Sequence, residues 1–237
     1  MITTDDFLGG RVKLRQEKEG LRATSDSVLV AAAVLAKSGE TVLDVGLGNG
    51  VVALCLNARL PNLRIAGIDC QEKLIRLARE NAALNGCDLE VIKGDITLRP
   101  SPVHARQFHH VVTNPPFYDE PHKRQNPQVA RAYHQGVSLT DWLSFCLRHV
   151  RAKGTLTAIM RPESLAEVLN VLSKKLGHIE IIPIVPKAGE KAKRIIVRGV
   201  MNNRSPLCLR APLIMHQKNG KRSASAEKIL RHGGGIE

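Results

Sequence analysis

The chain has 237 residues, 43% of them hydrophobic, a composition that excludes disorder throughout and a length that suits one substantial domain around one core. Lys and Arg number 35 against 22 Asp and Glu, and the resulting charge of +13 points to a polyanionic partner, nucleic acid before a membrane surface. The five cysteines (Cys55, Cys70, Cys87, Cys146 and Cys208) are scattered without a C-x-x-C pair or nearby paired histidines, which argues against a disulfide framework and a zinc site.

No metal is expected. The opening Met-Ile-Thr-Thr-Asp-Asp-Phe has no basic stretch leading into an apolar one, and no run of about 18 apolar residues follows, so no membrane association and a cytoplasmic location are expected. Oligomeric state is not legible.

Residues 1–24 are polar and basic, with Gly9-Gly10 breaking any regular element, and read as an N-terminal basic lobe or hairpin. Ser25-Asp26-Ser27 then offers capping chemistry to a helix over Val28–Ala36, ended by Gly39. Thr41–Val45 reads as a strand running into a glycine-rich turn, and Val51–Leu60 as a helix stopped before Pro61. Leu63–Asp69 and Glu72–Asn85 repeat the strand-helix unit, the helix placing Leu74, Leu77, Ala78 and Ala82 on one face.

Leu89–Lys93 is a third strand and His109–Thr113 a fourth, ending at Asn114. A helix over Val137–Val150, a fifth strand over Thr155–Met160 and a helix near Glu163–Leu176 follow. Such alternation means an α/β fold, a mostly parallel sheet with helices on both faces. Ile179–Val185 and Arg194–Met201 close it as an antiparallel hairpin; the domain is set at 25–216, with a basic tail over 217–237 expected to fray.

Asp44-Val45-Gly46-Leu47-Gly48-Asn49-Gly50 lies at a strand-to-helix turn, where glycines let a ligand approach the backbone. The spacing of Gly46, Gly48 and Gly50 is not the dinucleotide fingerprint, and an acidic residue before them suits a cationic amino-acid group better than a pyrophosphate. That favours S-adenosyl-L-methionine over NAD. Asp69, 25 residues on at the end of the second strand, can accept ribose hydroxyls; Asp95, after the third, can reach an adenine edge or merely form a turn.

Asn114-Pro115-Pro116-Phe117 follows the fourth strand on the same crevice. An exocyclic amine is a poor nucleophile because its lone pair is delocalised into the ring; acceptors aimed at its two N–H groups draw the pair outward. The Asn114 side-chain carbonyl and the Pro115 backbone carbonyl can supply them, consecutive prolines stiffen the presentation, and Phe117 can stack on a base. Taken without its neighbours the motif has a lesser alternative, a turn after a strand with Phe117 filling a core gap.

Together Asp44 to Gly50, Asp69, Asp95 and Asn114 to Phe117 resemble the class I adenosylmethionine-dependent methyltransferases. More narrowly, Thr24 to Ala31, Ala130-Arg131-Ala132-Tyr133-His134 and Lys193 to Val197 are similar to the bacterial tRNA1(Val) adenine-37 N6-methyltransferase family. The resemblance implies a Rossmann-like seven-stranded sheet with one antiparallel strand, Asn114 also lying at the cofactor, and methylation of adenine N6 in tRNA. The family often reads Asn-Pro-Pro-Tyr-Phe where this chain has Phe117-Tyr118, and Asn-Pro-Pro-Phe also occurs in guanine-N2 rRNA methyltransferases. Release-factor glutamine methyltransferases, DNA adenine methyltransferases, an NAD-dependent dehydrogenase and a non-catalytic RNA-binding protein are the alternatives. Candidate phosphate contacts are the N-terminal Arg11, Lys13, Arg15, Lys18 and Arg22, then Lys123, Arg124 and Arg131, and Lys187, Lys191, Lys193 and Arg194.

Overall fold

The computed structural model describes residues 1–18, 22–98, 100–116 and 137–236. The chain opens with an antiparallel hairpin, β1 (Ile2–Phe7) and β2 (Val12–Glu17), turned by a short 3-10 segment, Leu8–Gly10. Gly9 and Gly10 both take positive φ there, as their placement in a break requires. Helix α1 (Ser25–Ala33) starts at Thr24, whose hydroxyl accepts from the Asp26 N–H, and is buried almost all round. It ends three residues before the expected Ala36, because Val34 has already turned extended.

Two strand-helix units follow, β3 (Thr41–Val45) into α2 (Val51–Arg59) and β4 (Arg64–Asp69) into α3 (Glu72–Leu84), and then strand β5 (Leu89–Lys93). Strand β6 (Phe108–Thr113) precedes the Asn-Pro-Pro motif. Helix α4 (Leu139–Arg148) has Ser138 as its cap, accepting from the Asp141 N–H. Strand β7 (Val150–Met160) begins where the sequence pattern predicts the end of a helix. Its first residues are a bulged extension, in which Lys153 takes positive φ and the register against β6 shifts.

Pro162–Ser164 forms a 3-10 turn into α5 (Leu165–Leu172), shorter than the expected Glu163–Leu176 because β8 (Leu176–Val185) already starts at Leu176. Strand β9 (Arg194–Met201) returns antiparallel to both β7 and β8. Two-residue strands β10 (Cys208–Leu209) and β11 (Leu213–Ile214) add to the outer edge of β8. The expected seven strands are therefore present in the order β8-β9-β7-β6-β3-β4-β5, with one antiparallel strand, but the sheet has nine because the tail contributes two.

One face of this sheet is covered by the hairpin, α1, α2 and the last helix, α6 (Ala224–His232), and the other by α4 and α5. α6 corrects the expectation of a fraying tail. Ser223 caps it, Ala226 and Ile229 are buried, and the Ile236 N–H donates to the Ala32 carbonyl at 2.8 Å. The lysines, serines and glycines that look flexible in sequence are the solvent face and caps of an amphipathic element. The five cysteines are free. Among the described residues no helix is long and apolar enough to cross a membrane, and no group of three or more His, Cys, Asp or Glu could hold a metal.

Candidate active site

The parallel strands β3, β4, β5 and β6 bring Asp44, Asp69, Asp95 and Asn114 to one edge of the sheet. Between β3 and α2 the loop turns on three glycines at positive φ, Gly46 (80°), Gly48 (57°) and Gly50 (89°). A Cβ at Gly48 would meet only the Gly46 carbonyl, at 4.0 Å, so that face of the loop is open. Gly50 is instead the N-cap of α2 and carries no capping side chain, leaving the helix start to face the loop.

Asp44 is 1% exposed, and neither of its carboxylate oxygens has a hydrogen-bond partner among the described residues. Burial, then the neighbouring Asp69, pushes its pKa up to about 7, only weakly opposed by the Ala53 N–H at the start of α2. A buried carboxylate without a donor is costly, and a cationic group placed beside it would relieve that cost. Asp69 is satisfied differently: one oxygen accepts from the Gly48 N–H at 2.9 Å, the other from the Gln71 N–H at 2.9 Å. It thereby ties the glycine loop to the start of α3, yet keeps lone pairs for hydroxyls of a ligand. Burial raises its pKa too.

Asp95 is half-buried and accepts from both the N–H and the hydroxyl of Thr97, at 2.8 and 2.7 Å, on one oxygen. It is thus a turn former with its second oxygen uncommitted in that turn. Cys70 lies close to both Asp69 and Asp95, and burial and these two charges raise its thiol pKa.

The Asn114 side-chain oxygen is buried with no partner among the described residues. Pro115 is buried and Pro116 half-buried. Phe117 lies outside the described residues, as do Lys123, Arg124, Arg131 and His134. The residue before the motif is held firmly: the buried Thr113 hydroxyl donates to the Val45 carbonyl at 2.8 Å and accepts from the Trp142 indole N–H at 2.8 Å. Trp142 also fills the space a Cβ on Gly46 would need, approaching it to 2.8 Å. A single side chain of α4 therefore touches both the glycine loop and the strand that presents Asn114.

Sequence reasoning misses Trp142, Thr113 and two supports of the loop. Gly67 of β4 leaves the room that the Leu47 side chain occupies, and an isolated glycine inside a strand is the signal that could reveal it. Asn81 of α3 and Asn85, the residue that caps its end, pair with the backbone of β2. The Arg15 N–H donates to Asn81 at 2.8 Å and Asn81 donates back to the Arg15 carbonyl at 3.0 Å, while Lys13 and Asn85 repeat the exchange at 2.8 and 2.7 Å. Asn81 also donates to the Asn49 carbonyl in the glycine loop. The hairpin is thus fastened to the cofactor loop; Arg15 adds an ion pair with Glu80 of α3, Arg11 binds the Ala58 and His232 carbonyls, and Arg22 pairs with Asp5 within the N-terminal lobe.

The orphaned Asp44 carboxylate, the open face at Gly48 and the carboxylate at Asp69 fit a ligand with a cationic amino-acid end and a ribose. This is the loop, carboxylate placement and topology of an adenosylmethionine-dependent class I methyltransferase. Residues 24–182 match the model of the methyltransferase small domain, and the chain belongs to that family, as an adenosylmethionine-dependent methyltransferase. It is 30% identical over 205 residues to a tRNA1(Val) (adenine(37)-N6)-methyltransferase of Actinobacillus pleuropneumoniae, covering 83% of this chain and 84% of that one. A release factor glutamine methyltransferase of Deinococcus radiodurans is 35% identical over 96 residues, 38% of this chain and 33% of that one. A crystal structure of a predicted O-methyltransferase from Agrobacterium tumefaciens superposes with a TM-score of 0.74 at 26% identity, covering 89% of this chain and 98% of that one.

Proposed function

We propose that this methyltransferase modifies the exocyclic N6 amine of an adenine in tRNA, at position 37 beside the anticodon. The observation that carries the chemistry is the Asn114 side-chain oxygen, buried and unpartnered among the described residues, directly after a strand that ends beside the glycine loop. Such an acceptor is costly unless a donor arrives, and a planar base amine brings two. Asn114 and the Pro115 carbonyl accept its N–H groups and localise the nitrogen lone pair, and Phe117 stacks on the ring.

Asp44 and Gly48 hold the amino-acid end of adenosylmethionine, Asp69 its ribose, and Asp95 the adenine edge, with Gly46 and Gly50 shaping the turn. The sulfonium supplies an already activated methyl group. The protein then contributes alignment, and no strongly basic side chain is needed, because the amine loses its proton readily once methylated. The choice of tRNA adenine is supported by the relative that matches over most of both chains and by the net charge of +13.

Labelled adenosylmethionine incubated with unmodified tRNA, rRNA, DNA and a release factor decides among the readings. N6-methyladenosine in tRNA is expected; N2-methylguanosine in rRNA or methylglutamine in the release factor would replace it. Asn114→Ala should abolish transfer and spare cofactor binding. Asp69→Ala should weaken cofactor binding first, since it removes a ribose acceptor and releases the Gly48 and Gln71 N–H groups.

A further inference from the structure

The tail does more than complete the sheet. Strand β8 runs parallel to β7 and β6, because β9 between β8 and β7 is antiparallel to both neighbours, so Val185 ends at the same sheet edge as Asn114. By register Thr113 pairs with Ala158, Met160 with Ile195, and Ile195 with Pro183. Pro183 is thus level with the second residue past the partner of Thr113, and the loop over 186–193 rises beyond that level as a wall.

The tail is fastened to this wall by backbone. β11 pairs with Ile184 and Val185, the Met215 N–H donates to the Val185 carbonyl at 2.9 Å, and the His216 N–H to the Pro186 carbonyl at 2.8 Å. The chain then reverses in a closed turn: the Gln217 N–H donates to the Lys221 carbonyl at 2.8 Å, the Gln217 side chain to the Arg222 carbonyl at 3.0 Å, and the Lys221 N–H to the Asn219 side chain at 2.9 Å. Two hydrogen-bonded loops therefore stand side by side at the catalytic edge.

Their charge is one-sided. They carry Lys187, Lys191, Lys193, Lys218, Lys221 and Arg222, the last paired with Glu227 of α6 at 3.4 Å, and their single carboxylate is Glu190. All these cations but Lys187, which is half-buried, are exposed. β8 is three strand positions from β6, which at about 4.8 Å per strand is about 14 Å, and β11 is one position further. That is the span of a few nucleotides of a single strand leaving the Asn114 site. Lysines at that distance suit phosphates, which fix the position of a strand without its bases being read.

We infer that the 216–222 turn of the tail, together with the 186–193 loop, is a phosphate-binding platform that grips the RNA backbone beside the target base. The inference rests on the reading of the substrate as RNA. It also gives a reason for the tail to add β11 to a sheet that already has its seven strands: the two-residue strand sets the turn at the height of the wall.

The test is equilibrium binding of full-length unmodified tRNA, measured by fluorescence anisotropy across a salt series, with wild type, the pair Lys218→Ala with Lys221→Ala, and the same two positions changed to Arg. Each phosphate no longer neutralised should flatten the slope of log K against log salt by about 0.7–0.9, so the alanine pair should flatten it by about 1.5 and bind several-fold more weakly. The arginine pair should behave as wild type, and adenosylmethionine affinity should not change in either. Equal slopes and affinities for wild type and the alanine pair overturn the platform while leaving the RNA reading intact. Failure of the wild type itself to bind tRNA overturns both.

Discussion

At the scale of single residues the site is defined by polar atoms left without partners among the described residues. The Asp44 carboxylate is buried beside Asp69 with its pKa raised to about 7, so in the ligand-free protein it is half-protonated near neutrality. An unfolded aspartate ionises near pH 4, and between about that pH and about 7 the folded chain holds one more proton than the unfolded one. Stability of the ligand-free protein should therefore fall as pH rises across that window and level off above it. A cationic ligand group reverses the balance, because it favours the charged carboxylate. Adenosylmethionine binding should release up to one proton near pH 7, and affinity should drop as pH falls below it, by at most about tenfold per unit. Calorimetry in buffers of different ionisation enthalpy measures that proton directly. Asp44→Asn should bind more weakly and lose the pH dependence; a wild-type affinity flat from about pH 5.5 to 8 would show that no ammonium group approaches Asp44.

At the scale of elements, catalysis depends on how β6 sits relative to the glycine loop, and Trp142 of α4 sets that spacing through Thr113 and Gly46. Trp142→Phe keeps most of the packing and removes the indole N–H; Thr113→Val removes the hydroxyl. Because methyl transfer requires alignment, each should lower kcat by roughly 10–100-fold while changing KM for the cofactor little. The double variant should be no worse than Thr113→Val, because that change already breaks the bond to Trp142 along with the one to the Val45 carbonyl. Additive losses in that cycle would mean the two act separately. Trp142 is the chain's only tryptophan, so its fluorescence should respond to cofactor binding at Gly46. Nothing in the sequence near Trp142 foretells this role: a tryptophan on a helix 29 residues from Thr113 gives no local signal, whereas Asp44, Asp69 and Asn114 announce themselves as polar residues at the ends of apolar runs. The same limit governs the elements. β3, β5 and β9 match their expected bounds because flanking turns delimit them, while the start of β7 reads as helix because its bulge, with Lys153 and Gly154, looks like a helix end followed by a turn. Asn81 and the capping Asn85, one turn apart at the end of α3, are legible as a docking edge for β2 only once a strand is known to lie there.

At the scale of the whole molecule, the two chain ends meet over the same face of the sheet, and this is where composition misleads most. Lysine, serine and glycine after residue 217 read as a frayed tail, yet α6 inserts Ile229, 3% exposed, into the cluster that also holds Leu8, Val28 and Leu56. Polar groups reinforce the closure. Arg11 reaches the carbonyls of Ala58 and His232, and the buried Arg198, paired with Glu180 at 2.5 Å, donates to the Ile236 carbonyl at 2.9 Å. A tail held this way shares the stability of the core. Ile229→Ala should then cost about 2–5 kcal/mol, the usual range for emptying a buried aliphatic site. In a chain of this length each kcal/mol lowers Tm by roughly 2–4 °C, so a fall of about 4–20 °C is expected, within one cooperative transition followed by both near-UV circular dichroism and calorimetry. A loose tail would leave Tm unchanged, and a tail docked as a separate unit would give a second, earlier transition. Either result would also undercut the RNA platform, because the turn at Lys218 and Lys221 has a fixed position only if α6 and β11 anchor it from both sides.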